Sequence, residues 1–293
     1  MGSNPVAVMM LSDANAEAFY REALACLHRS GVPFLLGGAY ALAHYTGIVR
    51  RTKDLDVFIR PADCGRVLQA FENEGFVTEV TDADWLAKAF RDPHFIDIIF
   101  SSGNSIATVD DDWFAHATRV RALGCEVRIA PVEEMIWSKA FVMERERFDG
   151  ADVLHLLLKR GKRIDWHRLL ARMGDHWQVL LAHLVLYQYC YPSERETIPT
   201  WVLNTLQERL RAERAAGNAP ERVCRGPLIS RFQYRTDIEE WNFTAPPRPP
   251  VGLVLAVHPP DEVEHADETE PQEGAHSRHW RPSLPRKQRR APV

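Results

Sequence analysis

The chain lacks the devices that mark several large classes of protein. Its 293 residues include five cysteines, Cys26, Cys64, Cys125, Cys190 and Cys224, which are odd in number, far apart and without a CxxC pair. That pattern argues against a disulfide framework or a thiolate zinc site and for a reducing compartment. The twelve histidines form no HExxH and no regular ligand spacing. The start, MGSNPVAVMMLSD, has no basic region ahead of a long apolar run, so it makes a poor secretory signal. The longest apolar run near the middle, VLLAHLVLY from Val179, is broken by His183 and is too short to span a bilayer. A net charge of −4 supplies no global basic field for nucleic acid. Internal repeats are absent too. The expectation from these gaps is a cytoplasmic protein with no membrane partner.

What is present is ordinary for a globular chain, with 45% hydrophobic and 26% charged residues. The spacing of Ala16, Phe19, Tyr20, Ala23, Leu24 and Leu27 predicts a helix over 13–30. PFLLGG reads as a short buried strand running into two glycines, and AYALAHYTG as a helix that stops at Gly47. TKDLDVFIR is the next strand, and ADCGRVLQAFENEGF is an amphipathic helix. HFIDIIF (94–100) and CEVRIAP are further strands. From Pro131 the texture turns helical, through PVEEMIWSKAFVMERERF, GADVLHLLLKRG, DWHRLLARMGDHWQVLLAHLVLYQYCYP and PTWVLNTLQERLRAERAAG. The expected organisation is an α/β (α+β) domain over 13–130 and a helical domain over 131–244, with its helices ending near 216. A Pro-rich, charged tail over 245–293 is expected to be disordered. Within the tail, VGLVLAV (251–257) could add a strand to a sheet edge or a partner, and RPSLPRKQRR, from Arg281, is a basic end that is either solvated or a loose contact for RNA.

Two carboxylates in TKDLDVFI carry the chemistry. Asp54 and Asp56 are two positions apart, so on a strand they share one face and repel. Alone, such a pair is as readily solvated or matched by Arg50, Arg51 or Lys53. Asp97 changes the balance. It lies among Ile96, Ile98 and Ile99, where an unpaired carboxylate costs several kcal/mol, so it requires a cation. If its strand lies beside residues 54–59, three carboxylates converge, a hard-oxygen set suited to Mg²⁺ or Mn²⁺. Two such ions roughly 3.5–4 Å apart clamp a transferring phosphoryl group and offset the repulsion. Gly37 and Gly38, between strand and helix, allow close backbone approach and free N–H groups for an anion such as a triphosphate; a plain tight turn fits them as well.

The order strand, GG, helix, strand with DxD, later strand with a single Asp resembles the nucleotidyltransferase superfamily with the DNA polymerase β-type catalytic fold. The family's hG[GS], [DE]h[DE]h and third acid correspond to LGG at Leu36–Gly38, DLDV at Asp54–Val57 and DI at Asp97–Ile98. RRTKDLDVFI also resembles the small bacterial branch that includes AbiEii-type toxins and minimal nucleotidyltransferases, with Arg50, Thr52, Asp54 and Asp56 matching its R-x-T-x-D-h-D string. The segment from Glu133 is similar to the helical region that follows the catalytic sheet there, through Lys139, Arg145 or Arg147, Asp149 and Asp152. The resemblance covers about residues 30–160. It departs at Gly38, often Ser in the family, which leaves backbone N–H groups alone to meet a phosphate.

The resemblance implies a mixed β-sheet flanked by helices and transfer of NMP from an NTP to an acceptor hydroxyl, with release of pyrophosphate. Asp54 and Asp56 would ligate both metals, and Asp97 the catalytic one while accepting the hydroxyl proton. Gly37 and Gly38 would hold phosphates. Lys139, which by spacing alone reads as a snorkelling lysine, would contact the triphosphate. The acceptor could be RNA, a protein or a small molecule such as an aminoglycoside, and a toxin role would add an antitoxin partner.

Several weaker features complete the picture. Arg51 and Lys53 rank below Lys139 as phosphate ligands. Asp149 and Asp152 read as structural, pairing with Arg145 or Arg147, and Asp110 as a helix N-cap. His94 lies just before the third-acid strand and could approach the site. Against the transferase stand a non-catalytic binding protein on the same fold, favoured if Asp97 faces away from the DxD pair, and a metal-dependent phosphohydrolase, disfavoured by the missing histidine motifs.

Overall fold

The computed structural model of the chain describes residues 14–52, 54–102 and 104–255. Seven strands build a mixed sheet: β1 (Leu35–Leu36), β2 (Asp56–Phe58), β3 (Val77–Asp82), β4 (Leu86–Arg91), β5 (His94–Ile99), β6 (Thr118–Ala122) and β7 (Cys125–Ile129). Their spatial order is β3-β4-β5-β2-β1-β7-β6. Helices are α1 (Ala14–Ser30), α2 (Gly38–Thr46), α3 (Cys64–Asn73), α4 (Asp111–Ala115), α5 (Val132–Ala140), α6 (Gly150–Arg160), α7 (Trp166–Met173), α8 (Trp177–Cys190), α9 (Thr200–Ala216) and α10 (Arg235–Glu239).

The most apolar strands lie at the centre. Leu35, Leu36, Val57, Ile96 and Ile98 are fully buried, and the pairing of β2 with β1 and with β5 sets these strands side by side. The helix α1 packs on α3 and β5, while α2 packs on α5 and α6. The core also contains Tyr20, Phe71, Phe100 and Trp113, all essentially inaccessible to solvent.

Three strands escape a reading by alternation. The strands β3 and β6 are the two sheet edges, and β3 alternates only between exposed and half-buried side chains. An edge with no buried face leaves no hydrophobic period to detect. The remaining one, β4, carries Lys88 at its centre.

The helical half departs from expectation in two places. The helix predicted from Pro131 through Phe148 ends at Ala140, and the chain then reverses through an antiparallel bridge between Met143 and Phe148. The alternating charges of Glu144, Arg145, Glu146 and Arg147 offer no apolar stripe to extend α5. The long segment from Asp165 is divided into α7 and α8 at Gly174, where φ is 46°. Asp110 caps α4 as expected, accepting from the Asp112 and Trp113 N–H groups.

Residues 245–255 of the Pro-rich segment are described and the rest lie outside the described residues. The described part of the apolar stretch, residues 251–255, does not join a sheet edge. Val254 instead accepts from the Gly65 N–H at 2.9 Å and donates to the Pro61 carbonyl at 3.3 Å.

Candidate active site

The parallel pairing of β2 with β5 sets Asp56 directly beside Asp97. Val57 and Ile98 then point to the opposite, buried face, so the two acids share the face lined by Phe58 and Ile99. Asp54 sits two residues before β2, in a bend rather than in the strand. Its position is fixed locally: the Thr52 hydroxyl donates to Asp54 Oδ1 at 2.7 Å. The Asp97 N–H donates to the Leu55 carbonyl between the two aspartates. The DxD pair and the third acid are therefore brought together, and Asp97 does not face away.

Gly37 and Gly38 lie underneath. The Gly37 N–H donates to the Asp56 carbonyl at 3.0 Å, tying the turn before α2 to the DxD strand. A Cβ on Gly38 would fall 1.6 Å from Asp56 Oδ2, and its φ is +47°. A Cβ on Gly37 would fall 2.0 Å from the Phe58 ring. The Asp56 carboxylate thus rests on the glycine turn, in space that only a residue without a side chain leaves.

This packing has an electrostatic price. Burial, with Asp54 and then Asp97 beside it, pushes the Asp56 carboxyl up to about 7. Burial also raises Asp97, opposed by the ammonium of Lys88. Lys88 is the cation that Asp97 requires: it faces Asp97 across the β4–β5 hairpin, with Nζ 2.5 Å from Oδ1. Its role could not be read beforehand, because only the hairpin register brings residues nine apart together. Tyr20 of α1 also lies within the field of the three acids. Burial, followed by the fields of Asp54, Asp97 and Asp56, pushes its phenol up to about 12.

Lys139 lines the same cavity, about 290 Å³ in volume, together with Gly38, Asp56 and Arg147. It is held by two acids, Asp149 at 2.7 Å and Asp152 at 3.0 Å. Asp149 and Asp152 are therefore Lys139's partners, with Arg147 also on Asp149 and Arg50 on Asp152 at 2.6 Å. Arg147 stays firmly charged, chiefly through its hydrogen bond to Asp149 and with help from Asp56 and Asp54. Arg51 is exposed, and Lys53 lies outside the described residues. His94 packs against the Phe19 ring, 5.6 Å between centroids, and does not line the cavity.

The far wall of the cavity comes from residues the sequence reading passed over. Leu228, Ile229, Ser230 and Arg231 close it. Glu144 accepts from the Ser230 hydroxyl at 2.5 Å and from the Arg231 N–H at 2.6 Å, and Asn104 donates to the Leu228 carbonyl at 2.6 Å.

No group of three or more carboxylate, imidazole or thiolate residues among the described residues is arranged as a ready cation site. The donor chemistry nevertheless fits a hard divalent ion. Asp54 and Asp56 are adjacent carboxylates, and the raised Asp56 marks negative charge without enough compensation.

A parallel-paired acid cluster on a strand–glycine–helix turn is the arrangement of a nucleotidyltransferase. Residues 11–188, more than half of the chain, match a family described as uncharacterised nucleotidyltransferases, and the chain belongs to that family. It is accordingly a nucleotidyltransferase enzyme. No curated protein matches the chain by sequence. Solved structures similar to it include the antibiotic-resistance factor ANT(2'')-Ia, at 14% identity over 70% of this chain and 95% of that one, with a TM-score of 0.39. The lincosamide antibiotic adenylyltransferase LnuA is 18% identical over 48% of this chain and 94% of its own, with a TM-score of 0.35. JHP933 from Helicobacter pylori is 17% identical over 70% and 97%, with a TM-score of 0.35. Among the described residues no helix is long and apolar enough to cross a membrane.

Proposed function

We propose that the chain is a metal-dependent nucleotidyltransferase that moves NMP from an NTP to an acceptor hydroxyl. The observation that carries this reading is the register of Asp56 with Asp97 on one sheet face, against the Gly37–Gly38 turn. Asp54, Asp56 and Asp97 would hold Mg²⁺ or Mn²⁺, which supplies charge neutralisation on the phosphates when bound.

The chain's own groups do the rest. The backbone at Gly38, where the turn opens into α2, receives the terminal phosphates, while Gly37, tied through its N–H to the Asp56 carbonyl, holds the turn in place, and the cations of Lys139 and Arg147 line the same cavity. The acceptor oxygen attacks the α-phosphorus, the bond from that phosphorus to the bridging oxygen breaks, and pyrophosphate leaves. Asp97 takes the hydroxyl proton. Positioning and fixed charge supply most of the acceleration in such chemistry. A cavity of about 290 Å³ suits one nucleoside.

The test is transfer of label from each α-³²P NTP with Mg²⁺ or Mn²⁺ to total RNA, cell extract or aminoglycosides. Label in one acceptor class, lost in the Asp54→Ala/Asp56→Ala double variant, is the expected result. The toxin role implied by the sequence resemblance would place that label on RNA or protein and calls for an antitoxin partner, which co-expression with neighbouring reading frames would reveal. No transfer and no metal-dependent NTP binding would return the chain to a non-catalytic reading.

A further inference from the structure

Lys88 has no part in the reaction set out for the three aspartates, yet it is paired with one of them, Asp97. The β4–β5 hairpin opposes it directly to Asp97. Its Nζ lies 2.5 Å from Asp97 Oδ1 and 4.2 Å from the centroid of the Phe95 ring. The two side chains of the pair are 20% and 14% exposed. An ammonium held at once by a carboxylate and an aromatic face, in half-buried surroundings, is a fixed charge rather than a mobile surface lysine.

Its place matters for the number of ions. Two divalent ions in such a cluster need the third carboxylate, and here that carboxylate already carries a cation. Asp54 and Asp56 remain, with Asp54 oriented by the Thr52 hydroxyl.

We propose that the Lys88 ammonium takes the position of one of the two ions. The three-acid metal set is thereby narrowed: the active site, with its nucleotide, holds a single divalent ion on Asp54 and Asp56, while Lys88 supplies the positive charge beside Asp97. This rests on the metal-dependent reading of the same site. Lys88 is a positioning residue in this scheme: it acts through Asp97.

The experiment is Mn²⁺ binding to the full chain in stoichiometric complex with an α,β-methylene NTP, each of the four bases in turn, read by bound-metal analysis and electron paramagnetic resonance. A pair of ions roughly 3.5–4 Å apart gives an exchange-coupled spectrum; a lone ion does not. The wild-type chain and Lys88→Arg should bind one Mn²⁺ with an uncoupled spectrum. Lys88→Met should bind a second and become coupled. A coupled pair in the wild-type chain overturns the proposal, as does a single ion in a Lys88→Met variant whose near-ultraviolet circular dichroism matches the parent. If neither chain binds Mn²⁺ with any nucleotide, the metal-dependent reading itself fails. Should Lys88→Met not fold, the wild-type and Lys88→Arg spectra still decide the count.

Discussion

Asp56 is the residue on which the account turns. Its carboxyl stands near 7 against a usual 3.8, because burial and two neighbouring acids disfavour its charge. A carboxyl raised in the folded state makes the fold most stable below its unfolded value, near 4, and that advantage is lost as pH rises through about 7. The full difference corresponds to roughly 4 kcal/mol. Asp56→Asn should therefore flatten the fall in Tm between pH 4 and pH 7 and raise stability at pH 8, while abolishing transfer. Thermal melts across that range check it; an Asn variant whose curve overlays the parent's contradicts the charge strain. Gly38→Ala is the complementary test. Its Cβ would collide with Asp56 Oδ2 at a left-handed φ, so transfer should collapse and stability drop by about 1–3 kcal/mol. Wild-type transfer in that variant would show that the turn does not support the acid. Asp56, Asp97 and the two glycines stand out in the sequence because each breaks a local rule, acids in apolar strands and glycines where a strand ends, while Asp54 stands out only as the first acid of the DxD pair and lies in a bend. Lys88 does not, since a lysine on a strand breaks none and only register pairs it with Asp97.

At the scale of elements, the central strands and most helices followed from periodicity, whereas the edges did not. The strand β3 has no buried face to reveal it, β6 buries only Ala122, and α5 stops three residues short of the alternating charges that begin at Glu144. The reversal after α5 has a use. It presents Glu144 to Ser230 and Arg231, so a turn rich in charge pins the segment that closes the cavity. Glu144→Ala should free that segment. We expect faster proteolysis between residues 222 and 235 and a higher KM for NTP with kcat nearly unchanged. Limited digestion with steady-state kinetics reads both, and unchanged cleavage together with unchanged KM would show that the wall stands without this contact.

For the whole molecule, the helical half is tied together by buried charge and reaches the sheet-bearing half through the pair Arg172–Asp110. Glu134, fully buried on α5, accepts from Arg168 at 2.5 Å and from Arg172 at 3.1 Å on α7. Arg172 continues to Asp110 at 2.5 Å, the cap of α4. Removing one member of such a buried set costs about 3–5 kcal/mol. Arg172→Met should lower stability by that order in denaturant melts and leave the transfer rate of the folded fraction as it was. The central claim concerns the bond that breaks. Incubation with NTP labelled at the α- or the γ-phosphate, beside the acceptor pool, reads it directly. The account predicts α-label joined covalently to acceptor and γ-label released in pyrophosphate. Label from the γ-position on acceptor, or release of orthophosphate alone, would contradict it.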